Sequence, residues 1–201
     1  MQQKIKPILT ILNESFLDEN RYNIGEKITQ KDLDKFNIKL PKELETIYTE
    51  ECSSIYFTLA LGTVDSAFNL LPINNIVTLY DFFKEQCEFC ELDMSLNYSK
   101  PILQKIEEKA KNVFVFATSG DSQFSDIFAF DEQGQLYFME YDNDLIFTYY
   151  ENYIKELHKF KVNYSCYELV QKCITNLLIS YETDHVEFSD YISQDYTEER
   201  V

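Results

Sequence analysis

Five cysteines, two histidines and 35 acidic residues are the side chains from which chemistry could be built in this 201-residue chain. Cys87-Glu88-Phe89-Cys90 is its one CxxC. Structural zinc needs four ligands, usually from two such knuckles or from a knuckle and histidines. Cys166 and Cys173 fall on one side of a predicted helix but two turns apart, and Cys52 stands alone. A redox CxxC belongs at a helix N-terminus, where the dipole lowers a thiol pKa. Here the pair lies late in a predicted helix amid Glu85, Glu88, Glu91 and Asp93, whose charges oppose ionisation. Small core cysteines are the stronger reading. The odd count, in a chain large enough to need no staples, reads as reduced thiols.

His158, beside Lys159, reads as an exposed residue at a helix end, and His185 sits in an acidic tail. A Cys–His or Ser–His nucleophile pair would need one of them buried beside a thiol or hydroxyl, and nothing pairs them. Carboxylates are too numerous for a general acid or base to be singled out without geometry. There is no Walker-type loop or glycine-rich dinucleotide fingerprint. The turn from Asp131 to Gly134 lacks calcium-loop spacing, and no basic patch offers itself to nucleic acid. The expectation is a non-enzyme with no catalytic residue, no cofactor and no metal.

The elements that would position any site are read from periodicity. Lys4 to Leu17 has helical spacing, starting near Pro7, and Asp18 to Gly25 reads as a polar connection. Thr29 to Phe36 reads as a short helix that Thr29 can cap, with Asp32 three residues on. Pro41 opens another, with Leu44, Ile47 and Tyr48 as its buried stripe. Ser54 to Leu61 alternates as a strand ending at Gly62, and Phe68 to Leu71 reads as a short second strand stopped by Pro72. Ile76 to Phe89 reads as a helix with Ile76, Tyr80, Phe83 and Cys87 on one side. Asn112 to Ala117 is a strand candidate followed by a turn at Thr118-Ser119-Gly120-Asp121. Asp126 to Phe130 and Gln135 to Tyr141 flank Asp131-Glu132-Gln133-Gly134, a β-hairpin with glycine where φ can be positive. Leu145 to Phe160 and Tyr164 to Tyr181 close the chain as helices. The implied fold class is α+β, a central mainly antiparallel sheet with helices packed on one face.

Charge is the main compositional signal. The net charge is −17, and residues 51–201 hold 26 acids against 10 bases. The stretch from Gly120 to Glu151 has eight acids and no Lys or Arg. Such a field repels phosphates and anionic membranes and attracts basic partners. Solubility alone is the plainer explanation of an acidic chain, but a solvated face usually mixes both signs. This block also overlaps tyrosines 137, 141, 149, 150 and 153, a residue type frequent at interfaces. The strand period alone would bury about half of the hairpin tyrosines. Met1 to Leu17 lacks the run of a signal peptide, and no apolar stretch approaches the ~20 residues of a membrane span, so a cytoplasmic location is expected.

The order of motifs resembles the SUKH superfamily, the Smi/Knr-type proteins. The cues are Leu40-Pro41-Lys42-Glu43-Leu44 opening a helix and Leu70-Leu71-Pro72-Ile73 before another. Phe114-Val115-Phe116-Ala117-Thr118-Ser119-Gly120-Asp121 then leads to Asp126-Ile127-Phe128-Ala129-Phe130, the Asp131–Gly134 turn and a closing helix from Ile146 to Leu157. The chain departs from the family in having Glu50-Glu51-Cys52-Ser53 where an Asn-Gly-type turn is common, and no tryptophan. The length fits one domain over 1–201, in which the resemblance covers a SUKH-like core at about 29–160. An N-terminal helix (4–17), an extra C-terminal helix (164–181) and an acidic tail (182–201) flank that core. It implies no catalysis. Bacterial members look like immunity proteins that neutralise a cognate toxin, often a nuclease, and fungal relatives like regulatory scaffolds. The partner expected is a cognate toxin or another basic protein, with no nucleic acid and no membrane; a regulatory scaffold of the Smi/Knr type is the alternative, and a cryptic enzyme with perturbed carboxylates or a thiolate the less favoured one. The residues expected to face it are Asp121, Asp126, Glu140, Tyr141, Asp142 and Asp144. The oligomeric state is left open.

Overall fold

A computed structural model of the chain describes residues 5, 22–61, 64–89, 99–120, 125–139 and 157–183. Its strands are β1 (Tyr22–Ile24), β2 (Ile55–Leu61), β3 (Val64–Leu70), β4 (Val77–Thr78), β5 (Val113–Gly120), β6 (Ser125–Asp131), β7 (Leu136–Met139) and β8 (Lys161–Val162). The helices are α1 (Gln30–Leu33), α2 (Lys42–Thr46), α3 (Leu79–Phe89), α4 (Lys100–Ala110) and α5 (Cys166–Thr183). All eight strands join one sheet in the order β1-β2-β3-β5-β6-β7-β8, with β4 also on β5, and every described pairing is antiparallel. The fold is α+β.

Local chemistry sets the boundaries. Thr29 Oγ1 accepts the Asp32 amide at 3.2 Å and starts α1. Thr78 Oγ1 accepts the Asp81 amide at 3.1 Å and starts α3 in the same way. A reciprocal pair starts α5: Ser165 Oγ accepts the Glu168 amide at 3.1 Å, and Glu168 Oε2 accepts the Ser165 amide at 2.9 Å. Pro41 precedes α2, which runs on as a π-helical turn over Ile47–Glu51. Leu44, Ile47 and Tyr48 are all buried there, as their spacing predicts. β3 and β4 share one side of β5: Leu70 pairs with Ala117 and Val77 with Val115. The β5–β6 register shifts between Val115 and Ala117, at the joint between those two ladders.

Two apolar clusters lie on opposite faces of the sheet. One joins Phe57, Phe68, Phe116, Phe128, Phe130 and Phe138 to Leu44, Ile47 and Tyr48 and to Val170, Cys173 and Ile174 of α5. Phe128 is central to it, with ring centroids 6.2 Å from Phe68 and 5.0 Å from Phe138. The other joins Val115, Ile127, Ala129, Tyr137 and Met139 to Leu79, Phe83 and Cys87 of α3 and to Ile106 and Ala110 of α4. Alternate residues of β6 and β7 feed the two clusters, as the strand period of two requires.

Several expectations are corrected. Helices cover both faces rather than one, because β5, β6 and β7 are apolar in both phases. Tyr22–Ile24 is a strand where a polar connection was expected, paired with β2. β3 begins at Val64 and not near Phe68. The helix expected from Ile76 begins at Leu79, since Ile73–Asn75 is a 3-10 turn and Val77–Thr78 pair with β5. Thr118–Gly120 extend β5 where a turn was expected. Helix α4 was not foreseen. Leu157–Phe160 is a 3-10 turn, on which His158 is exposed. The remainder of the helices expected over 4–17 and 145–160, and the tail beyond 183, lie outside the described residues apart from buried Ile5. No helix among the described residues is long and apolar enough to cross a membrane.

Candidate functional site

The thiols are buried where the helices meet the sheet. Cys52, Cys87, Cys166 and Cys173 are free and buried, and Cys90 lies outside the described residues. Burial, then the Glu51 charge, pushes the Cys52 thiol up to about 12. Burial, then the Glu43 charge, pushes Cys166 up to about 12. Cys173 is held well above its ordinary value by burial and then by Asp126. All three stay protonated at neutral pH, which suppresses thiolate chemistry. Among the described residues no group of three His, Cys, Asp or Glu is placed to hold a metal.

The β6–β7 hairpin is tightly held. Asp131 Oδ1 accepts the amides of Gln133 at 2.9 Å and Gln135 at 3.0 Å, while Oδ2 accepts the Tyr137 hydroxyl at 2.7 Å. Gly134, at φ +80°, turns the chain, and its amide donates to the Asp131 carbonyl at 2.8 Å. Gln135 Nε2 donates to the Val162 carbonyl at 3.0 Å and ties β8 to the hairpin. The Tyr137 hydroxyl is held well above its usual range, first by burial and then by its bond to Asp131 and that carboxylate's charge. One carboxylate thus satisfies three donors, and Glu132 and Gln133 are left exposed at the tip.

The other end of this ladder gathers the chain's exits. Gly120 pairs with Ser125, and Met139 pairs with Ile127 two residues along β6. β3 begins three residues beyond the Ala67–Gly120 pair, at the same end. The chain therefore leaves the sheet toward Asp121 and toward Glu140 from one end. Asp121, Glu140, Tyr141, Asp142 and Asp144 themselves lie outside the described residues.

Asp126 does not belong to an exposed surface. It is 8 % exposed, in phase with Phe128 and Phe130 on the face covered by α5, where its charge acts on Cys173. Across the ladder stands Ser119, 2 % exposed, whose hydroxyl has no hydrogen-bond partner. Burial keeps Asp126 from direct contact with a partner. The period of two along β6 already carried that signal.

Sequence reasoning also passed over Tyr56 in the β1–β3 part of the sheet. Among the described side chains, the cluster beneath α3 and α4 takes none from β1, β2 or β3. On that face Asn23, Tyr56, Asn69 and Thr118 stand opposite one another across four strands. Tyr56 is 43 % exposed, the exposed large hydrophobic among the described residues. Its phase opposes that of buried Ile55 and Phe57, so the alternation noted in this strand was enough to find it. Comparison with protein-family models, with curated proteins and with solved structures gave no match.

Proposed function

We propose that this chain is a binding protein of the immunity type, which neutralises a cognate bacterial toxin by covering a basic surface with an acidic one. The observation that carries this reading is the common end of the sheet from which Gly120 and Met139 exit. Asp121 follows the first exit, and Glu140, Tyr141, Asp142 and Asp144 follow the second. The hairpin that delivers the second is braced by Asp131 and Tyr137 at 2.7 Å. A rigid support lowers the entropic cost of binding, and a one-sign block speeds encounter with a basic partner. A nuclease would be such a partner, because its active region must hold phosphate. The motif order shared with the SUKH superfamily and the antiparallel α+β sheet support the same reading. Asp126, being buried, is excluded from the contact and serves the core.

The test is co-expression with the C-terminal domain of a large secreted protein encoded beside this chain, scored by growth. Rescue is expected, with a complex whose affinity falls as salt rises. Reversing Asp142 and Asp144 to Lys should weaken the complex about tenfold or more and flatten its salt dependence. An unchanged affinity and salt slope would remove these residues from the interface.

A further inference from the structure

We infer that Ser119 and Asp126 are positioning residues for partner binding, whose side chains form a hydrogen bond that is open in the free chain and closes when a basic partner neutralises the acidic end of the sheet. This rests on the binding reading and deepens it, by naming the part of the scaffold that responds to the partner.

Ser119 stands one residue before Gly120 and Asp126 one residue after Ser125, at the end of the β5–β6 ladder that leads to Asp121. The two are directly opposite each other and both are buried, on the face covered by α5. Opposed ladder residues hold their Cβ atoms roughly 4.5–5.5 Å apart, so a small shift or a rotamer change brings a hydroxyl onto a facing carboxylate. In the free chain that bond is not made, because the Ser119 hydroxyl has no partner. A buried donor left unmatched costs stability, and Ala at this position avoids the cost. A group that weakens the free chain while facing an acceptor across one rung is suited to a second arrangement of that end. Electrostatics supply the trigger. Residues 120–151 hold eight acids, Asp126 among them, and no Lys or Arg. Like charges spread the end that carries them, and a basic partner removes the repulsion and lets it contract. Ser119 then donates to Asp126, and a bond made only in the complex adds to affinity without adding to the stability of the free chain.

The experiment titrates the full chain and its variants with the C-terminal domain of the large secreted protein encoded beside it, by calorimetry, and measures urea unfolding of the same free chains. Ser119→Ala should weaken the complex about tenfold while the urea midpoint of the free chain stays unchanged or rises. A merely structural role gives the opposite pattern, with affinity and stability falling together. Asp126→Leu removes the acceptor, and in that background Ser119→Ala should have no further effect on affinity. Wild-type affinity in Ser119→Ala overturns the inference. So does a loss of affinity matched by a fall in the urea midpoint, or a full Ser119→Ala effect in the Asp126→Leu background. In each of these cases the wild-type complex still forms, and the toxin reading stands. Failure of the wild-type chain to bind overturns that reading and this inference with it.

Discussion

Glu43 Oε2 accepts the backbone amide of Cys166 at 2.8 Å, across 123 residues of sequence. A carboxylate from the early α2 thereby meets the positive end of α5, the long C-terminal helix. Glu51, at the end of the π-helical turn after α2, accepts the amide of Ile5 at 2.7 Å. Tyr167 also bonds Glu51, and its hydroxyl is held above its usual range, first by burial and then by that bond. Acidic residues in this region therefore serve as anchors for the α5 terminus, a use of charge separate from any partner.

Replacing Glu43 with Ala should cost about 1–2 kcal/mol, since it removes a charged acceptor and leaves the Cys166 amide unsatisfied at a helix start. Glu43→Gln keeps an acceptor oxygen and should cost less. Urea denaturation midpoints at constant m-value distinguish the two.

The buried thiols set an alkaline limit. Below pH 9, the ordinary thiol value of 9.0, Cys52 and Cys166 are protonated in folded and unfolded chains alike, and their contribution is complete. Above it the unfolded chain ionises first, and stability drains until the folded thiols ionise near 12. Each thiol removes on the order of 1 kcal/mol per pH unit in that window. Denaturation midpoints should fall steeply above pH 9, and Cys52→Ala should reduce the slope while lowering stability at neutral pH. In the native chain at pH 8, thiol-reactive dyes should leave all four described cysteines unlabelled until the chain unfolds.

Gly134→Ala should destabilise the hairpin by about 1 kcal/mol or more. The cost is one of backbone conformation, at φ +80°, since the nearest atom to an added Cβ is the Cβ of Pro41 at an ordinary 4.0 Å. Tyr137→Phe should cost about 1 kcal/mol through loss of its bond to Asp131, leaving the two turn amides in place. Thermal denaturation of both single variants and the double variant gives their coupling.

Ser119→Ala should leave stability unchanged or raise it by up to about 1 kcal/mol, because the buried hydroxyl it removes has no partner. A loss of more than about 1 kcal/mol in urea would mean that Ser119 supports Asp126 or a bound water.

How much of this was readable beforehand depended on whether a signal was local. The hairpin was legible because Asp131 and Gly134 carry turn chemistry in four residues, and the start of α1 because Thr29 can cap its own helix. The α2 stripe was legible because Leu44, Ile47 and Tyr48 keep helical spacing next to a proline. β1 was not, because Tyr22-Asn23-Ile24 becomes a strand only when Ile55–Phe57 lie alongside it. Helix α4 was missed because its apolar stripe, Ile102, Leu103, Ile106 and Ala110, is sparse between Lys and Glu. The second helix layer was hidden for a related reason: the unbroken apolar run Val113-Phe114-Val115-Phe116 does not show by itself what covers each of its two faces. Of the expected site, Asp126 was misplaced by weighing its charge above its phase in the strand. Tyr56 was overlooked by attending to the buried phase alone.

The strand order has a bearing on synthesis. Every strand from β2 to β8 except β4 pairs with a strand made before it, so the sheet can be laid down as it leaves the ribosome. The layer packed with Phe57, Phe68 and Phe128 comes from α2 and its π-helical turn and from α5, and α5 begins only at Cys166. During the seconds in which the last third of the chain is made, an aromatic face stands ready without its α5 cover. A nascent chain stalled before Cys166 should therefore be the species that chaperones hold, and release should coincide with the docking of α5 onto Glu43.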